Sequence, residues 1–368
     1  MAEPLELTFL LPAYPRRPGG GTRIVLEMSN RLAVRGHTVN VVCTRERRRP
    51  WEERGRLRQA LARKARHAAG RIRDQYLWDR RLDWISLHPG VRLHFVPRLA
   101  AAHVPEADVV IATAWWTMRY LDGYPHSKGR KYYLIQGHET WDGPEELVDA
   151  TWRMSARKVV IASWLHRKAR ELGVDPAEVT HIPLALDQDT FRVTAPLADR
   201  PARVAMLYHP SPSKGCATGV DALERVRAQR PDLSAVLFGV SPRPSSLPRW
   251  IEYLQSVRPA QLAAVLNRCA LYLCPSTIEG WHLPPAEAMA CGCALVSTEI
   301  PGVGDYARHG QTARLVAVGD AAAMSVEILR LLSDCHARVT LARAGRAEIA
   351  AYTWTRTTEL LEAWLAAP

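Results

Sequence analysis

A chain of 368 residues exceeds one compact core, and the usual domain size divides it into two. Its 47% apolar fraction, with Gly and Pro spread throughout, excludes a disordered or fibrous chain. The net charge of +12 is uneven: residues 45–81 carry fourteen Lys and Arg against five Asp and Glu, so +9 of it lies in one segment.

The opening run LELTFLLPAY has no basic region before it and no small-residue cleavage site after it. No run approaches the roughly 18 to 20 apolar residues of a spanning helix. A cytoplasmic protein, peripheral to a membrane at most, is expected. Most of the seven cysteines (43, 216, 269, 274, 291, 293, 335) sit in apolar strand-like or helical contexts, as reduced buried thiols do. Cys291 and Cys293 form a CxC without a second Cys/His pair at zinc spacing, so no metal site is expected.

In chain order, LELTFLLPAY reads as a strand running into the loop PRRPGGG. From Thr22, Ile24, Val25, Met28, Leu32 and Ala33 fall at helical spacing up to Gly36, and HTVNVVCT is the next strand. This is a βαβ unit. Within the basic segment Arg45–Arg81, Leu57, Leu61, Ala65, Ala68, Ile72 and Tyr76 form a narrow apolar stripe. A solvated helical insertion, contact with an anionic acceptor, and contact with an anionic membrane surface all fit it. Aromatic interleaving for nucleic acid is lacking, and no nucleic-acid partner is expected. DVVIATAWW and KYYLIQGHE read as strands, and KVVIASWLHRKARELG as a strand leading into a helix.

After the polar stretch RVTAPLADRPAR a second α/β series runs through VAMLYHP, GVDALERVRAQR, SAVLFGV, IEYLQSV, PAQLAAVLNRC, LYLCPS, PPAEAMACG and ALVSTEI. The last part is helical. The expected fold is α/β: two Rossmann-like domains facing across a cleft, with C-terminal helices. The first spans 1–190 with a basic insertion at about 45–85, the second spans 200–350, and a helix at 351–368 is expected to pack back on the first domain.

The stretch PSTIEGWHLPPAEAMACGC sets Glu279 and Glu287 eight positions apart. Pro284 and Pro285 suit a helix's first turn and Gly292 its exit. Glu279 then lies on the preceding loop, Glu287 projects from the first turn, and the amides of Gly280, Trp281, His282 and Leu283 face one pocket. Carboxylates that accept from vicinal hydroxyls beside an anion-friendly backbone suit a phosphorylated polyhydroxy ligand. On spacing alone, first-turn charge and a solvated loop residue explain the two glutamates equally well.

The stretch resembles the E-x7-E signature of family 4 retaining glycosyltransferases, usually Glu-Gly-Phe-Gly-Leu-Pro-x-x-Glu-Ala-Met-Ala-x-Gly. Trp281 and His282 replace Phe-Gly, and sugar specificity is expected there. The resemblance extends over about residues 5–350. It implies a GT-B fold in which Glu279 faces the donor sugar and Glu287 holds the nucleotide ribose. LYHPSPSKG resembles the family's Gly-Arg-Leu-x-x-x-Lys-Gly, so Lys214 matches the diphosphate-binding Lys while His209 stands in place of Arg. PGGGTRIVLEMSNRLAVRGHTVNVV resembles the N-terminal Gly-Gly loop, which implies close backbone approach to the diphosphate at Gly20 and Gly21. YLIQGHETW resembles the segment whose histidine lies at the donor sugar, here His138. HIPLALDQDTF resembles the interdomain linker, and its Asp187-Gln188-Asp189 is a chance mimic of a metal-binding Asp-x-Asp. Trp115, Trp116, Trp141 and Trp281 fall in or beside the expected cleft loops, where indoles stack on sugars, although core packing serves as well.

The resemblance implies a metal-independent hexosyltransferase that moves a sugar, with retention, from a nucleotide-diphosphate sugar to an acceptor hydroxyl. His138, Glu279 and Lys214 carry the catalysis, and no cofactor beyond the nucleotide sugar is involved. The acceptor is a small molecule, a glycan or a lipid-linked glycan, of the bacterial cell envelope or a natural product. The alternatives are a nucleotide-sugar epimerase or hydrolase on the same fold and a non-catalytic binding protein.

Overall fold

The computed structural model describes residues 3–15, 19–44 and 82–367. The basic segment Arg45–Arg81, with its apolar stripe and its expected anionic contact, lies outside the described residues. The chain packs as two compact units, one of Met1–Leu134 with Glu139–Lys158 and one of Ile135–His138 with Val159–Pro368.

The first sheet comprises β1 (Glu6–Leu11), β2 (Thr38–Thr44), β3 (Val91–Val96), β4 (Val109–Ala112), β5 (Arg130–Ile135), β6 (Arg157–Val160) and β7 (Val179–His181), in the order 3-2-1-4-5-6-7. β1 pairs in parallel with both β2 and β4, so strand order reverses beside it. Four helices accompany these strands: α1 (Gly20–Val34), α2 (Trp115–Leu121), α3 (Glu145–Trp152) and α4 (Ser163–Glu171). α1 begins two residues before the expected Thr22, with Gly19 as its N-cap and a first bond from the Arg23 amide to the Gly19 carbonyl at 2.8 Å.

The strand expected over DVVIATAWW stops at Ala112. The Thr117 hydroxyl accepts from the amides of Thr113 at 3.1 Å and Ala114 at 3.0 Å, which turns the chain into α2. Trp115 and Trp116 are therefore helical and buried in the first unit. β3 was not expected from the sequence. Its Arg92 and His94 break the apolar run, and on the structure it is an edge strand whose His94 Nε2 lies 2.8 Å from Asn40 Oδ1.

The second sheet comprises β8 (Arg203–Leu207), β9 (Ser234–Gly239), β10 (Ile251–Gln255), β11 (Leu271–Cys274), β12 (Ala294–Thr298) and β13 (Ala313–Val316), in the order 10-9-8-11-12-13. Every neighbouring pair is parallel. The helices are α5 (Cys216–Gln229), α6 (Pro259–Leu266), α7 (Leu283–Ala290), α8 (Ala321–Ser333), α9 (Cys335–Ile349) and α10 (Trp354–Ala366). Alternation of short β-rich runs with helical periods dictates this doubly wound pattern. Met206, Leu237, Leu273 and Val296 from the strands pack with Leu223, Met324 and Ile328 from α5 and α8 in one fully buried cluster. Each such side chain contributes about 1.5–3 kcal/mol on leaving water.

The linker stretch is held by charge as well as by packing. The buried Arg200 guanidinium donates to the carbonyls of Cys269 at 3.0 Å and Cys291 at 2.8 Å. Ahead of it, Gln188 Nε2 donates to the Tyr352 carbonyl at 3.1 Å and Thr357 Oγ1 to the Pro183 carbonyl at 2.7 Å. These bonds tie α10 and the turn before it to residues 183–188 within the second unit. All seven cysteines are free; five are buried, Cys216 is half-buried and Cys335 is exposed. Among the described residues, no helix is long and apolar enough to cross a membrane.

Candidate functional site

In open parallel sheets, ligands bind outside the carboxyl ends of strands where strand order reverses. In the second sheet that point lies between β8 and β11. The loops leaving these two strands are 208–215 and 275–282, which hold Lys214 and Glu279. Gly215 draws them together. Its φ is +59°, and a Cβ there would lie 1.9 Å from the Pro275 carbonyl oxygen, so only glycine allows the approach. The Thr277 amide donates to the Ser213 carbonyl at 2.8 Å and locks the two loops in register.

Lys214 Nζ consequently sits 2.7 Å from Glu279 Oε1 and 2.8 Å from Oε2. Their side chains are 24% and 10% exposed, so the pair is largely desolvated yet reachable by a ligand through the lysine. Two further imidazoles approach it. His282 is buried beneath Glu279, with Nε2 3.3 Å from Oε1 and Nδ1 3.2 Å from the Cys274 thiol. Burial pushes His282 down to about 4, against the pull of Glu279, so the ring is neutral at pH 7.

His209 is held below the usual imidazole range, chiefly by burial and then by the Lys214 cation, against the pull of Glu279. Its Nδ1 accepts from the Ser211 amide at 3.0 Å, which leaves Nε2–H as a neutral donor. Among the residues of these two loops Lys214 is the one strong cation, where the resembled family has two. His209→Arg is expected to tighten nucleoside diphosphate binding about tenfold at pH 7.5, measured by calorimetry, since a charge-assisted bond replaces a neutral one. The wild-type affinity should rise only as pH falls below the lowered His209 pKa, whereas the Arg variant should show no such rise.

The backbone around α7 corrects part of the sequence expectation. The amides of Gly280 to Leu283 do not all face a ligand. The His282 amide donates to the Gly302 carbonyl at 3.1 Å. Pro284 and Pro285 have no N–H, so Leu283 supplies the one peptide donor among the first three residues of α7. The Gly280 carbonyl accepts from Trp164 Nε1 at 2.7 Å. Trp281 is 5% exposed, with ring centroids 5.0 Å from Tyr306 and 5.4 Å from Tyr352. Neither Trp281 nor His282 presents a face for sugar stacking. Glu287 is the fifth residue of α7 rather than a first-turn residue, and it is buried.

His138 lies in the loop after β5, as expected, and is buried. The short segment Ile135–His138 packs with the second unit, where a Cβ on Gly280 would lie 1.8 Å from the Gln136 carbonyl oxygen. Gly280 thus admits the strand end that carries His138 two residues further on. Gly20 and Gly21 are the first two residues of α1, in the first unit, rather than loop residues ahead of a helix. Among the four tryptophans considered for stacking, only Trp141 is exposed, at 57%.

The sequence reading missed two groups. Cys274 was read only as a strand thiol, yet it backs His282. Glu139 follows His138, and its carboxylate accepts from the Trp115 amide at 2.6 Å at the start of α2. Burial raises that carboxyl to about 8, although the Trp115 amide opposes the shift. An acid directly after a histidine at a strand's end was the available signal.

Residues 202–334, which hold Lys214, Glu279, His282 and Glu287, match the family model for glycosyl transferases group 1. A phosphatidyl-myo-inositol mannosyltransferase of Mycobacterium tuberculosis is 28% identical over 199 residues, covering 50% of this chain. The chain spans about half the length, 52%, of that curated relative. Sucrose-phosphate synthase from Thermosynechococcus elongatus superposes over 98% of both chains with a TM-score of 0.73 at 15% identity. Anabaena HepE in complex with UDP-glucose covers 98% of this chain and 99% of its own, with a TM-score of 0.72 at 16% identity. The fold is GT-B, as expected.

Proposed function

We propose, from the match of residues 202–334 to the family model for glycosyl transferases group 1, that the chain transfers a sugar, with retention, from a nucleotide-diphosphate sugar to an acceptor hydroxyl. The observation that carries this reading is the Lys214–Glu279 pair at the strand-order reversal of the second sheet, with bonds of 2.7 and 2.8 Å. A cation beside a carboxylate is what a donor with a diphosphate at one end and vicinal hydroxyls at the other requires. One structural neighbour, Anabaena HepE, is in complex with a donor of this kind, UDP-glucose.

In this reading Lys214 turns from Glu279 toward the diphosphate and stabilises the leaving charge. Glu279 and His138 hold the sugar hydroxyls, Glu287 anchors the ribose, and the neutral Nε2–H of His209 adds one bond to phosphate. The acceptor oxygen bonds to the anomeric carbon on the face that the diphosphate leaves, and the hydroxyl proton passes to the departing phosphate oxygen. Lys214 supplies the charge a metal would otherwise supply, so the reaction is metal-independent. The acceptor is glycan-like, and the +9 segment Arg45–Arg81 meets its anionic part or an anionic cytoplasmic membrane face.

The test is a thermal-shift screen of UDP, GDP, TDP and ADP sugars. A donor at 100 times its Kd adds about 2.7 kcal/mol, or several degrees in Tm. No shift with any of them overturns the reading. Release of free nucleotide at full turnover without acceptor replaces it with hydrolysis.

A further inference from the structure

We infer that His282 is a positioning residue for Glu279: it holds the carboxylate from beneath through a fixed Nε2–H, and takes over as its donor when Lys214 turns to the diphosphate. The inference rests on the glycosyl-transfer reading above. The geometry is a line of four side chains. The Cys274 thiol lies 3.2 Å from His282 Nδ1, His282 Nε2 lies 3.3 Å from Glu279 Oε1, and the same Oε1 lies 2.7 Å from Lys214 Nζ. Only the Lys214 end of this line is appreciably exposed, so a ligand meets Lys214 and Glu279 and never the imidazole.

The line has one consistent order of protons. Burial pushes the Cys274 thiol up to about 11, so it carries its proton and can donate to Nδ1. The ring is neutral and therefore has a single N–H; with the proton on Nδ1 a bare Nε2 lone pair would face the Glu279 carboxylate at 3.3 Å, so the arrangement favours Nε2–H. At 3.3 Å the contact is not an aligned hydrogen bond, and Nε2 is a buried atom without a hydrogen-bond partner among the described residues while Lys214 occupies both carboxylate oxygens. Buried unpaired donors are rare in folded chains and mark places where a partner changes. Departure of Lys214 toward a phosphate frees Oε1, and a small rotation of Glu279 completes the bond to Nε2.

The backbone that carries the imidazole is fixed on both sides. The His282 amide is bonded to the Gly302 carbonyl at 3.1 Å, and its carbonyl accepts from the Tyr306 hydroxyl at 2.7 Å. A glycine at this place, as in the resembled signature, leaves the carboxylate no such donor. Here the bulk of Trp281 and His282 fills the floor of the site, and the nitrogen adds a function that bulk alone lacks.

The test compares His282→Phe, which keeps the ring and deletes the donor, with His282→Gln, which keeps an N–H. His282→Phe is expected to lower kcat about 30- to 100-fold, with the donor KM changed less than about threefold. His282→Gln should recover at least about tenfold of that loss. The second readout needs no substrate: 15N NMR of the imidazole in the full chain should show protonated Nε2 and bare Nδ1 at pH 7. Wild-type kcat in a folded His282→Phe, no recovery in a folded His282→Gln, or the Nδ1–H tautomer would each overturn the inference. Failure of the wild type to turn over any nucleotide sugar overturns the transfer reading instead, and the tautomer measurement then decides the arrangement by itself.

Discussion

Lys214→Met is expected to lower kcat about a hundred- to a thousandfold, the usual loss when one group that stabilises leaving charge is removed. The same change should also destabilise the fold, because Glu279 is 10% exposed and loses both of its short bonds, at 2.7 and 2.8 Å. Breaking a buried pair by deleting one partner costs about 3–5 kcal/mol, and the 24% exposure of Lys214 brings the expected figure to about 2–3 kcal/mol. Glu279→Gln should be milder in stability, about 1 kcal/mol, since the freed lysine can turn to water, and yet equally damaging to transfer. The double variant separates the two roles. Lys214→Met with Glu279→Gln removes both charges and should regain most of the stability lost by Lys214→Met, giving a positive coupling in the double-mutant cycle. It should regain none of the activity. Recovery of transfer in the double variant would make the pair a scaffold only, and a Lys214→Met enzyme with unchanged kcat would end its assignment to the leaving group.

Local rules carried much of the fold. Apolar runs and helical spacing gave most strands and helices, and the helix exits at Gly36, Gly173 and Gly292 all have positive φ. Pro284 and Pro285 do open α7. The edges were harder to read: β3 and β13 contain Arg92 and Arg314, which interrupt the apolar pattern because edge strands are half in water. The site was legible only as a set of residues. Lys214 and Glu279 stand 65 positions apart, and what makes them partners is strand order, which periodicity along a chain does not encode.

The direction of side chains was the larger gap. Sequence placed Trp281 and His282 beside a sugar, since they interrupt a signature there. The structure turns Trp281 onto Tyr306 and Tyr352 and sets His282 beneath Glu279. A loop residue with a large apolar ring follows the nearest apolar surface, and that surface comes from residues 25 and 71 positions further on. The supposed cradle of amides shrank for a non-local reason: the His282 amide is spent on the Gly302 carbonyl, a partner 20 positions further on.

Gly280→Ala is expected to be as damaging as any change to a charged group, although it adds one methyl. The new Cβ would stand 1.8 Å from the Gln136 carbonyl oxygen and 3.3 Å from Gly137 Cα, both of them backbone atoms that no rotamer change can move aside. Relief requires a backbone shift of more than about 1 Å on one side of the contact. On the other side the loop is held, because Gly302 packs so close that a Cβ on it would lie 2.5 Å from Glu279 Cβ, and the Gly280 carbonyl is bonded to Trp164 at 2.7 Å. Overpacking of this kind costs about 3 kcal/mol. The shift falls on the residue next to Glu279 and on the strand end leading to His138, where about 1 Å of misplacement lowers kcat about a hundredfold. Gly20→Ala is the contrast in stability: a Cβ there has nothing within 4 Å and joins the first turn of α1, so Tm should hold or rise. A Gly280→Ala chain with wild-type Tm and kcat would show that the Gln136 segment gives way freely, and would remove the packing argument for holding His138 beside the donor.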